Sequence, residues 1–184
     1  MVSKGITRAK IVVTARAIAD AEGLDGLSLR RIAEAMNTGQ ASLYRHVTSR
    51  NEILAAILDD FAAGIPLVVP GEKGPNAGTI VDQWTAIYRY FATAPWAARM
   101  VTDGIAMSDR SHRIYPHCAQ VLRDVQVPED DVFPTYRALW TLTLGYLTNR
   151  HPFDGVANAE ASRDADFVYA LDRLVAGILG STST

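Results

Sequence analysis

Between Ser28 and Val47, two short bursts of apolar residues at helical spacing are separated by a connection of only a few residues. Leu29, Ile32, Ala33 and Met36 fall at i, i+3, i+4 and i+7 behind Ser28, whose hydroxyl can cap a helix start. Asn37 tolerates the left-handed backbone of a helix end, and Thr38-Gly39 then leaves space for a tight turn alone. A further helix is expected from about Gln40, with Leu43 and Val47 inward. Upstream, Ile11, Ala15, Ile18 and Ala19 mark one face of another helix, expected to end near Gly23 in the turn Gly23-Leu24-Asp25-Gly26.

Three short helices joined by tight turns are the frame of a helix-turn-helix, in which the second helix braces and the third enters a major groove by its N-terminal end. The outward positions fit that task. They carry Arg30, Arg31, Gln40, Ser42, Arg45 and His46, with the small residues Gly39 and Ala41 where a helix start presses close to a partner. Charge agrees. Residues 1–50 hold eight basic and four acidic side chains, a net +4, in a chain of net −2, so the remainder carries −6. A basic segment on an acidic body points to a polyanion partner for the segment.

The run LSLRRIAEAMNTGQASLYRHVTSRNEIL, above all its SLYRHV core, is similar to the DNA-binding signature of the tetracycline-repressor (TetR) family. The resemblance covers roughly residues 8 to 60. Beyond that, length, helicity and the Pro95-Trp96 opening of a central helix are what agree. The resemblance implies that Arg30 reaches DNA from the second helix and that Gln40, Ala41 and Ser42 face bases. It implies phosphate contacts for Tyr44 and His46 and a basic contact at the fourth helix start for Arg50. Ser28, Thr38 and Gly39 complete the DNA-binding set. The turn departs from the common Gly-Val of the family, reading Asn37-Thr38, and the third helix begins behind Gly39 without a capping side chain.

Helical periodicity continues through the rest of the chain, and no run alternates as a strand would. The fold class is therefore all-α. The expected organisation is a three-helix DNA-binding domain over residues 1–48 and a larger helical effector-binding and dimerisation domain over 49–184. Ser49-Arg50-Asn51-Glu52 reads as a capping box ahead of an amphipathic helix bearing Ile53, Leu54, Ile57, Leu58 and Phe61. Three prolines and four glycines between Gly64 and Gly78 predict a loop, long enough to suggest mobility or a functional flap. Helices are expected around 79–94, 96–108, 110–126, 130–149 and 160–179, with prolines at their starts, kinks or stops.

In this second part Trp84, Tyr88 and Phe91 share one helical face. Such a stripe fills a core or lines a pocket, and spacing does not separate the two. The resemblance implies a small apolar or aromatic effector inside this domain, with Trp84, Tyr88, Phe91, Met100, His112, Tyr115 and Trp140 as candidate contacts. His112, His117, Gln120 and Asn149 are the candidate polar groups. The last two helices offer a homodimer surface: Phe167, Leu171, Leu174, Val175 and Ile178 are regularly spaced, and Leu139, Trp140, Leu142, Leu144 and Leu147 occupy more than one face.

His112, His117 and Cys118 are poorly spaced for one helix face and lack a completing cluster, so no metal and no cofactor is expected. Cys118 reads as a small buried residue. Motifs of nucleophilic, phosphate-loop or metalloprotease chemistry are absent, and no enzyme is expected. With no apolar stretch of membrane-spanning length, no signal-peptide core and one cysteine, a cytoplasmic protein without membrane association is expected. The combined reading is a sequence-specific transcriptional regulator, a repressor released from double-stranded operator DNA by a small molecule. The alternative is an activator, or a DNA-binding protein of the same fold, without an effector.

Overall fold

A computed structural model describes residues 5–69, 74–105, 113–149 and 159–181. Among them, every regular element is a helix. In chain order these are α1 (Arg8–Glu22), α2 (Leu29–Ala35), α3 (Gln40–Leu43), α4 (Arg50–Ala62) and α5 (Ala77–Ala92), then α6 (Pro95–Thr102), α7 (Ile114–Asp124), α8 (Glu129–Thr148) and α9 (Ala159–Ser181). The chain divides into two compact units, Met1–Gly64 with Arg99–Ser111 and Ile65–Ala98 with His112–Thr184.

In the first unit α1 packs on α4 and α2, and α2 on α3. Of the apolar spacing, Ile11, Ala15, Ile18 and Ala19 of α1, Ile32 and Ala33 of α2, then Leu43 and Val47 are buried, with Val12 and Leu27 beside them, while Leu29 and Met36 at the ends of α2 are half-buried. Ile53, Leu54, Ile57, Leu58 and Phe61 of α4 close the core. Helix α4, which the sequence reading assigns to the second domain, thus packs with the first. Arg16 of α1 adds an ion pair to Asp60 at 2.7 Å and lies over the Phe61 ring.

Helix ends follow local chemistry. Thr7 caps α1, and Gly23 ends it at φ 73°. Helix α2 ends with Asn37 at φ 50°, the Asn37 N–H on the Glu34 carbonyl and the Thr38 N–H on the Ala33 carbonyl. That paired closure satisfies two carbonyls the helix leaves open. Helix α6 stops at Thr102 rather than near 108. Gly104, at φ 80°, lets the Ile105 N–H close on the Met100 carbonyl in the same way. Helix α3 keeps one regular turn and continues through Tyr44–His46 as a turn, with the His46 and Val47 N–H groups on the Leu43 carbonyl.

In the second unit α5 is central, packed on α9, α8 and α7. Trp84, Ile87, Tyr88 and Phe91 are buried together with Cys118 and Leu122 of α7, Leu139 and Trp140 of α8, and Phe167, Leu171 and Val175 of α9. Pro116 falls at the third residue of α7, where no helical N–H bond is lost. Pro134 lies within the first two turns of α8. The connection after Gly64 starts without regular structure, and buried Gln83 holds it. The Gln83 amide donates to the Pro66 carbonyl at 2.9 Å, while its oxygen accepts from the Val68 N–H at 2.8 Å. His117 Nε2 lies 3.0 Å from the same oxygen, and Arg113 donates to the Ile65 carbonyl.

Candidate nucleic-acid interface

The α2–α3 connection holds its side chains by spending its apolar ones inward. Ser28 Oγ accepts from the Arg31 N–H at 3.1 Å, a cap worth about 1 kcal/mol. Its role inside the chain is thus to start α2. Leu43 and Val47 anchor α3, leaving Gln40, Ala41, Tyr44, Arg45 and His46 exposed. Tyr44 is 52% exposed, its hydroxyl 3.5 Å from Gln40 Nε2. Arg45 donates to Ser42 Oγ at 3.3 Å, which keeps Ser42 half-buried against its own helix turn. Gly39 is extended at φ −78°, and a Cβ there would meet no heavy atom within 4 Å. Its small size meets no demand from within the chain, so any demand comes from outside. Thr38 is half-buried at the α2 closure.

The basic residues divide into two kinds. Arg30 stands out from α2, paired with Glu34 one turn on at 3.3 Å. Arg31 turns back to Glu22, and the guanidinium beside it holds the Glu22 carboxyl below the usual carboxylate range. Arg50, the first residue of α4, is exposed and lays its guanidinium across the α1–α2 turn. Nε donates to the Leu27 carbonyl at 3.0 Å and Nη2 to the Leu24 carbonyl at 2.7 Å.

The capping box is modified at the same place. Ser49 Oγ accepts from the Glu52 N–H, but the Glu52 carboxylate passes the Ser49 N–H and takes those of Thr48, backbone and hydroxyl, at 2.7 and 2.9 Å. It also receives Arg8 from the start of α1. These bonds, those of Thr48 foremost, hold Glu52 below its ordinary value. Glu52 therefore fastens both α1 and the α3–α4 turn to α4. Spacing alone marked it only as a capping residue.

The candidate effector residues are scattered more widely. Trp84, Tyr88, Phe91 and Trp140 are buried within the second unit. Tyr88 stacks on Phe167 at 4.1 Å and donates to Asp164, and burial first, then that carboxylate, raises its hydroxyl to about 12. Tyr115 is partly exposed. Met100 is buried but belongs to the first unit, and His112 lies outside the described residues. Of the polar candidates, His117 reaches Gln83, which the sequence reading did not single out. Gln120 and Asn149 are exposed, and Gln120 donates to Asp124. Burial pushes the Cys118 thiol up to about 12. Among the described residues, no helix is long and apolar enough to cross a membrane.

The first unit is thus a helix-turn-helix head with an exposed polar start to its third helix, carried by an all-helical chain. Residues 11–57 match the family described as bacterial regulatory proteins, tetR family. It is 50% identical over 54 residues to the HTH-type transcriptional repressor DrrR1 of Streptomyces coeruleorubidus, covering 29% of this chain and 20% of that one. An HTH-type transcriptional regulator of Saccharopolyspora erythraea is 31% identical over 98 residues, covering 53% of this chain and 41% of that one. The chain therefore spans less than half the length of either curated relative. In fold it is similar to ActR of Streptomyces coelicolor, crystallised with (S)-DNPA. There the TM-score is 0.77 at 24% identity, over 96% of this chain and 98% of that one.

Proposed function

We propose that this protein is a transcriptional repressor that binds double-stranded operator DNA as a homodimer and is released by a small apolar or aromatic effector held in the second unit. The observation that carries the DNA reading is the exposed row Gln40, Ala41 and Tyr44 at the start of α3, on a head whose apolar residues are spent on its own core. Gln40 suits an adenine edge and Ala41 a thymine methyl, while Arg30, Tyr44 and His46 serve phosphates. Arg50 combines two roles. Its bonds to Leu24 and Leu27 use two of five guanidinium N–H groups, and those remaining can meet a phosphate.

A helix-turn-helix dimer reads two half-sites about one helical turn apart. The half-buried Leu142, Leu144 and Leu147 of α8 and Leu174 and Ile178 of α9 are suited to pairing two copies. ActR, similar in fold, holds a small molecule in its crystal. An effector changes operator affinity only as far as it binds one arrangement of the protein better than the other. The protein acts by binding, without catalysis, in the cytoplasm.

Selection of bound genomic fragments, followed by gel shifts of the selected sequence at rising salt, tests this reading. A sequence-selective complex that weakens steeply between about 50 and 200 mM salt is expected. Failure to retain any genomic fragment overturns DNA binding. Operator affinity unchanged by every small molecule that binds the protein overturns effector release.

A further inference from the structure

Four arginines of the head face carboxylates. Arg8 meets Glu52 at 3.1 Å, Arg16 meets Asp60 at 2.7 Å, Arg30 meets Glu34 at 3.3 Å and Arg31 meets Glu22 at 2.6 Å. Arg50 is bonded to the Leu24 and Leu27 carbonyls. Arg45 differs from all of these. It is exposed, and among the described residues its guanidinium has no carboxylate partner and one hydrogen bond, from Nη2 to Ser42 Oγ at 3.3 Å. No acidic residue lies in sequence between Glu34 and Glu52, so nothing along α3 neutralises that charge.

The single bond also sets a direction. A helical side chain leans toward the N-terminus of its own helix. Arg45 sits in the turn that prolongs α3, and its guanidinium reaches back three residues to Ser42. The charge is thereby carried toward exposed Gln40 and Ala41, at the end of a recognition helix that meets base edges. Ser42 is half-buried, so the anchor has little room to move. One of the five guanidinium N–H groups is used, and four remain for a partner outside the chain.

We propose that Arg45 reads a guanine in each operator half-site, with Ser42 as the residue that positions it. This rests on the reading that the head binds DNA. A guanidinium can give two parallel N–H bonds to O6 and N7 of guanine. Adenine puts its N6 donor where guanine has O6, so one N–H of the fork would face another donor. A phosphate asks only for a cation within reach. A guanidinium tied to its own helix start has its direction set before DNA arrives, which favours the directional contact with a base. Arg45 also gives up no carboxylate to make it, whereas Arg30 and Arg31 would have to leave Glu34 and Glu22.

The test uses the full chain and its selected operator, with each guanine replaced in turn by 7-deazaguanine, which lacks the N7 acceptor. Binding is read by fluorescence anisotropy. At one guanine per half-site, the replacement is expected to cost the unaltered protein about tenfold in affinity. Arg45→Ala should bind the natural operator about tenfold more weakly and lose less than about twofold on that replacement. Ser42→Ala should lessen the cost of the replacement in the unaltered chain and change it no further in Arg45→Ala. Arg45 is exposed, so the melting temperature of its variant should barely move. A loss in Arg45→Ala that is uniform over all replacements, with the salt slope lower by about one, would make Arg45 a phosphate contact and overturn the guanine reading. Absence of any guanine whose replacement separates the two proteins overturns it as well. An unchanged response in Ser42→Ala overturns the positioning role. Retention of no genomic fragment by the unaltered chain overturns DNA binding itself, whereas selective binding that is the same in Arg45→Ala overturns this assignment alone.

Discussion

Arg50 Nε donates to the Leu27 carbonyl at 3.0 Å, tying the first residue of α4 to the residue just before the α2 cap. With the Nη2 bond to Leu24, one side chain fixes the turn that orients α2 to the helix that follows α3. Helices α2 and α3 are seven and four residues long. Elements this short have little stability of their own, so tertiary clasps of this kind decide their orientation. Arg50→Lys keeps the charge but cannot span two carbonyls with a planar fork. It should cost the first unit about 1 kcal/mol and weaken operator binding with it, read by urea denaturation and fluorescence anisotropy. Unchanged stability would mean the clasp contributes nothing.

Tyr44 and Gln40 stand close enough for their polar ends to lie 3.5 Å apart, yet they are expected to act differently on DNA. Tyr44→Phe should weaken all sequences alike, by about three- to tenfold, if the hydroxyl serves a phosphate. Gln40→Ala should relax preference at one base position by about 1–3 kcal/mol while sparing other positions. Both residues are exposed, so the melting temperature should barely move in either variant. Anisotropy across a set of single-base operator variants separates the two patterns.

Glu52 gives the head a defined response to acid. Its carboxylate is held below the ordinary 4.5 by the Thr48 N–H first, then the Thr48 hydroxyl and Arg8. A carboxyl depressed in the folded state contributes stability above its unfolded value and loses it as pH falls through the folded one. Glu52→Gln should therefore be less stable than the unaltered protein at pH 7. The gap should begin to close below about pH 4.5 and vanish once the native carboxyl is protonated. Urea midpoints of the two proteins from pH 7 to pH 3 would show it. A gap independent of pH would refute the linkage.

In the second unit, Phe167 is fully buried and stacked on Tyr88 at 4.1 Å. Phe167→Ala removes that stack and the edge contact with Tyr146, and should cost about 3–5 kcal/mol. Calorimetry should show the loss as a lowered melting temperature. A loss under about 1 kcal/mol would mean the site collapses to fill the gap.

The head was the most legible part of the chain because its signals are local. Ser28 as a cap, Asn37 as a left-handed helix end, Gly23 as a stop and the inward apolar spacing each act over a few residues. The end of α6 was marked in the same local way by Gly104, although periodicity alone carried the expected helix past it. The α2–α3 spacing also showed which side chains stay outside, since those not needed for the core remain exposed.

What spacing could not carry is the identity of partners far along the chain. Arg50 finds carbonyls 23 and 26 residues upstream, Arg8 meets Glu52 44 residues away, and Gln83 gathers Pro66, Val68 and His117. Periodicity tells that a face is covered and not what covers it. For Trp84, Tyr88, Phe91 and Trp140 it could not separate core from pocket, because both demand buried rings on one face. Only the packing of the helices decides which rings meet, Tyr88 stacking on Phe167 while Trp84 and Phe91 stand edge-on to Trp140. The sequence by itself determined the helices, their caps and the inward face of the head. Tertiary structure decided which polar groups are clasped and which are left open, because hydrogen bonds over long sequence separations exist only once the helices have packed.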